Sequence, residues 1–101
     1  MTTSILTIDI AEQFPGMSTR EMGSVALCQF VNKLTDADIL EINFSGIAPS
    51  PSFADQCIGG LAEALGLVEF KARVKLKNLP TDVQPLIRHV ILTKAQRAVA
   101  H

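Results

Sequence analysis

The sequence predicts a small α/β domain: a two-layer fold with a mainly parallel three-stranded sheet and three helices on one side. Three observations carry that expectation. Residues 4–11, 39–44 and 71–77 each alternate apolar with polar side chains, the period of a half-buried strand. After each of them comes a stretch with apolar residues at helical spacing. A β-α-β-α-β-α order implies parallel pairing through right-handed crossovers. Because every strand keeps one polar face, the helices are expected to cover only one side, which requires the strand order 1-2-3.

In the first strand Leu6, Ile8 and Ile10 face one way, and Ile5, Thr7 and Asp9 the other. Phe14, Pro15 and Gly16 then break it. Ser18 and Glu21 stand at capping-box spacing, so each can satisfy a free amide at a helix start. That helix carries Leu27, Phe30, Val31 and Leu34 as one stripe, and Thr35 and Asp36 end it. The second strand sets Leu40, Ile42 and Phe44 against Glu41 and Asn43. A loop over 45–51 leads to a helix with Ser52 as N-cap and Asp55 at N3. Ala54, Ile58, Leu61, Ala62 and Leu65 form its buried side, and Gly66 closes it with a positive φ. Gly59 and Gly60 inside that helix cost about 1 kcal/mol each against Ala, so close packing on a neighbouring backbone is expected there.

The third strand sets Lys71, Arg73, Lys75 and Lys77 against Ala72, Val74 and Leu76. On the open face, Asp9 and Glu41 are expected to meet those four cations in cross-strand ion pairs. Residues 78–81 turn the chain. Asp82 can cap the last helix, placing Pro85 at N3, where its missing amide costs no helical bond. Val83, Leu86, Ile87, Val90 and Ile91 form the last stripe, and Lys94 and Arg97 suit the helix C-terminus. The final residues are expected to fray.

A chain of 101 residues allows one domain, 1–101. With 48% hydrophobic residues and a mean hydropathy of +0.29, it has the apolar content for a core. A net charge of −1 creates no broad field for nucleic acid or anionic lipid. With no Trp or Tyr and only five Phe, stacking platforms for single-stranded nucleic acid are not expected. No apolar run approaches the ~18 residues that suggest a membrane span, and the first residues do not read as a signal peptide, so a cytoplasmic protein is expected. Cys28 and Cys57 both fall in apolar helical patterns and are expected as reduced, buried fillers. His89 and His101 are too few and too far apart for zinc. There is no Gly-rich phosphate loop and no spacing that argues for a Ser–His–Asp set. No cofactor is implied, and the reading is an interaction module rather than an enzyme.

Residues 41–61, EINFSGIAPSPSFADQCIGGL, then carry a resemblance. Phe44-Ser45-Gly46-Ile47 and Ser52-Phe53-Ala54-Asp55 resemble the STAS-like domain family of unassigned function, over about a fifth of the chain. More distantly, the segment is similar to the STAS domains of anti-sigma factor antagonists. The resemblance implies their βα superhelix. It also implies a protein partner, a histidine-kinase-type ATPase that phosphorylates the serine falling here at Ser52. A partner surface would comprise Ser45, Gly46, Ile47, Ser50, Phe53 and Asp55. Two positions depart from the antagonists: Pro51 stands where they have Asp, and Phe53-Ala54 where they have Ser-Gly.

Each of these residues also has an ordinary duty. Ser52 as a helix cap is worth ~1 kcal/mol. A phosphate there would meet free amides, which favour it, and Asp55, which opposes it. Asp55 reads as a capping-box acid or as a contact for a partner's cation. Phe53 reads as core under the loop, or, if exposed beside Ile47 and Pro49, as an interface anchor. The basic residues 71–77 could protect a sheet edge or track a nucleic-acid backbone, though overall charge and aromatic content argue against nucleic acid. A small ligand or nucleotide at the start of the helix after the second strand is the other alternative. Homodimerisation through the open face or the last helix stays open.

Overall fold

A computed structural model describes residues 2–99. In chain order these form β1 (Ile5–Asp9), α1 (Ile10–Gln13), α2 (Arg20–Lys33), β2 (Ile39–Asn43), α3 (Pro51–Leu65), α4 (Leu67–Arg73) and β3 (Val74–Lys77). A 3-10 turn (Thr81–Val83) then leads into α5 (Gln84–Val99). The sheet is parallel throughout, in the order β1-β2-β3. This is the expected α/β class and strand order.

Register explains the layering. Leu6, Leu40 and Val74 lie side by side, as do Ile8, Ile42 and Leu76. Of these, Ile8, Leu40, Ile42 and Val74 are buried in one core with Ala26, Phe30, Phe53, Ile58, Leu61 and Ile87 of the helices. The intervening rows, Thr7–Glu41–Lys75 and Asp9–Asn43–Lys77, are exposed or half-buried on the other face. Between α2 and α5 lies α3, packed on both. Phe14, expected only as part of a break, is buried core. Its ring meets Phe30 edge-on at 6.4 Å and Phe53 at 6.1 Å.

The largest departure is at the third strand. Lys71, Ala72 and Arg73 belong to α4, and only Val74–Lys77 is strand. Gly66, at φ 81°, ends α3 as expected, but the chain restarts at once as α4 and buries Phe70. The basic alternation therefore joins the end of a helix to a short strand. The expected ion pairs with Asp9 and Glu41 do not form. Among the described residues the pairs are Arg20–Asp55, Lys94–Asp55, Arg73–Glu69 and Arg97–Glu63.

Other corrections are local. Asp9 is the N-cap of α1, accepting from the Glu12 amide at 3.1 Å, so Ile10 and Ala11 leave the strand. Thr19, not Ser18, caps α2 by accepting from the Met22 amide at 3.1 Å. In that helix Phe30 is buried, but Val31 is 40% exposed and Cys28 is exposed. The 3-10 turn, not an Asp82 cap, introduces α5, and Pro85 is its second residue. At Gly59 a Cβ would lie 2.9 Å from Val90 Cγ1, and at Gly60 2.5 Å from Leu27 Cδ2. The close packing expected there is thus against side chains of α5 and α2 rather than backbone. The expectations on the final residues and on His101 lie outside the described residues.

Candidate functional site

The C-terminal ends of the three strands converge on one polar cluster. Ser45 and Gly46 both adopt positive φ, 54° and 76°, and the Ile47 amide donates to the Phe44 carbonyl at 2.9 Å. That is a tight turn of the primed kind, which Gly tolerates and Ser does not prefer. Side chains hold it in place. Asn43 Oδ1 accepts from the Ser45 amide and from Asn78 Nδ2, each at 2.9 Å. Ser45 Oγ donates to Asp9 Oδ2 at 2.9 Å, and the Gly46 amide donates to the Asn78 carbonyl at 2.8 Å. All three strands thus anchor a short loop whose outer residues Ser45, Gly46, Ile47 and Ala48 are exposed, Ile47 by 48%.

The helix start beside this loop lies two residues earlier than the sequence suggests. Ser50 is the N-cap of α3: its Oγ accepts from the Phe53 amide at 3.1 Å and donates to the Ser18 carbonyl at 2.8 Å. Pro51 is the first helical residue, where its missing amide costs nothing. Ser52 is therefore at the second helical position, exposed, and takes no part in the cap. Phe53 is fully buried core, which removes it as an interface anchor.

Asp55 is not at N3 but a full turn into α3. It receives Arg20 Nη1 at 3.0 Å from the start of α2 and Lys94 Nζ at 3.5 Å from α5. Partial burial would raise its carboxyl pKa. The Arg20 and Lys94 hydrogen bonds and charges outweigh that and hold it below its ordinary value. Deeper in the same helix, burial pushes the Cys57 thiol up to about 12, so it stays a protonated apolar filler.

The four cations of 71–77 are not brought together as a row. Arg73 reaches back from α4 to the end of α2, where its guanidinium donates to the carbonyls of Leu34, Ala37 and Asp38. It thus ties α4 to the C-cap carbonyl of α2 at Leu34 and to two carbonyls of the loop that leads into β2. Lys75 Nζ donates to the Lys71 carbonyl at 2.7 Å, closing the end of α4. Lys71 is exposed on α4, and Lys77 is exposed on the open face. A continuous track for a phosphate backbone is therefore absent.

Sequence reasoning missed two groupings. Arg20, Asp55 and Lys94 come from three helices, and no local pattern links them. A cavity of about 390 Å³ lies between α4, residues 79–84 and α5, floored by Leu67, Phe70, Ile87 and Ile91. Reading 71–73 as strand hid it; Leu67 and Phe70, three residues apart before Lys71, were the available helical signal. Among the described residues, no three His, Cys, Asp or Glu side chains gather as a metal site would need. Nor is any helix long and apolar enough to cross a membrane. Compared with known proteins, the chain matches no family model, no curated protein and no solved structure.

Proposed function

We propose that the chain is a non-enzymatic, STAS-like regulatory module of the cytoplasm that switches partners under a histidine-kinase-type ATPase. One observation carries this reading: Ser52 is exposed in the first turn of a 15-residue helix while Ser50 does the capping. The structural duty that would explain Ser52 without regulation belongs to its neighbour. The exposed turn of Ser45, Gly46 and Ile47 beside it offers a partner one apolar contact within a polar rim, and Ser50 and Phe53 hold that surface from below.

Phosphorylation would add about 1.5 to 2 negative charges at Ser52. The positive end of α3 favours an anion there. Asp55, three residues on and on the same helix face, would repel it, but Arg20 and Lys94 already offset that carboxylate. The phosphate therefore changes the charge and hydration of the recognition surface without displacing a cap, which is what a reversible switch needs.

The test is phosphate transfer. Wild type and Ser52→Ala are incubated with ATP and native-host extract, then peptide-mapped by mass spectrometry. Phosphate is expected on the wild-type peptide containing Ser52 and absent from Ser52→Ala. A partner held by wild type is expected to be lost by Ser52→Glu that circular dichroism shows to be folded. No phosphate on Ser52, with equal partner capture by all three proteins, would remove this reading.

A further inference from the structure

We propose that the groove between α4 and α5 binds an anionic amphiphile: a monocarboxylate on a linear aliphatic chain. The site is independent of Ser52 and is built from other elements.

The groove follows from Gly66. Because the chain restarts there as a separate short helix, it is α3, rather than α4, that makes the main contact with α5. The seam between α4 and α5 stays open, with about 390 Å³ of space, within the ~300–1,000 Å³ usual for small-molecule sites. Phe70 and Ile87 are buried at its floor, and Leu67, Leu79 and Ile91 are half-buried along it.

The polar lining is Lys71, Gln84 and Arg88. No acid lines the groove, and neither Lys71 nor Arg88 forms an ion pair among the described residues. Both are exposed, so their charges are solvated and available at the rim. A neutral hydrocarbon would leave these cations unused. A polyanion would gain nothing from the apolar floor. An aliphatic chain with one carboxylate matches both parts: the tail covers the floor and the head meets a guanidinium fork and an ammonium.

The experiment titrates the full chain with decanoate below its micellar concentration, read by calorimetry and amide-resolved NMR. Saturable binding is expected, with shifts centred on Leu67, Phe70, Leu79, Ile87 and Ile91. Replacing the head charge, as in decyltrimethylammonium, is expected to weaken binding by at least about tenfold, as is the Lys71→Gln/Arg88→Gln double variant, each losing a charge-assisted contact. Both residues are exposed, so the variant is expected to fold; the ligand comparison decides the matter even if it does not. Equal affinity for the two amphiphiles, shifts centred elsewhere, or no saturable binding would overturn the proposal. So would a concentration-dependent dimer that shifts the same residues and excludes decanoate, because the groove would then belong to a second copy.

Discussion

Ser50 and Ser52 stand two residues apart and do different work. Ser50 Oγ satisfies one helix amide and one loop carbonyl, tying the first turn of α3 to the chain just before α2. Ser52 is exposed at the second helical position, and the side-chain cap is made by Ser50 instead. Ser50→Ala is therefore expected to lower stability by about 1–2 kcal/mol, read from urea midpoints. Ser52→Ala should stay within about 0.5 kcal/mol of wild type. Equal losses would mean that the cap is shared and that Ser52 is not free for modification. Sequence reading placed the helix start correctly to within two residues. It chose the wrong serine: Ser50 and Ser52 both flank Pro51, but proline suits the first helical position, and that preference together with the loop's path selects Ser50 as the cap.

Among the elements, α4 is the one the sequence concealed. Lys71, Arg73, Lys75 and Lys77 have a strand's period, yet the first two end a helix and the last two lie in β3. Periodicity cannot mark a junction that happens to keep its phase. The strands' order and direction were legible because strands alternate with helical stretches, and because Ile8, Ile42 and Val74 sit between polar neighbours, leaving each strand one polar face. The duty of Arg73 was not, since its acceptors Leu34, Ala37 and Asp38 lie far back in the chain. Arg73→Met keeps much of the side chain's apolar stem but leaves those carbonyls unsatisfied. It is expected to cost about 2–3 kcal/mol in urea unfolding, the worth of hydrogen bonds from a charged donor. A loss under about 0.5 kcal/mol would show that water serves these carbonyls as well.

Across the molecule, one carboxylate links the helical layer. Asp55 on α3 holds Arg20 of α2 and Lys94 of α5, and these cations keep its folded pKa depressed. A depressed carboxylate contributes stability in full above its unfolded pKa of ~3.9 and loses it as pH falls through the folded value. Wild type is thus expected to lose stability steeply below about pH 4, and Asp55→Asn to be less stable at neutral pH with a flatter acid limb. Parallel acid limbs in urea titrations would show that the pairs are too solvated to matter.

The parallel sheet also governs how the chain comes together in time. Each strand meets its neighbour 34 residues further along, as Thr7 meets Glu41 and Leu40 meets Val74. Among the described residues there is no hairpin from which pairing could start, so each pairing waits on the closure of a long crossover, the kind of topology that slows folding. On a ribosome, β2 emerges with its first partner already made but its second still unsynthesised. Until Lys77 appears, the future central strand has one raw edge, and that interval is when the nascent chain is most open to pairing with the wrong neighbour.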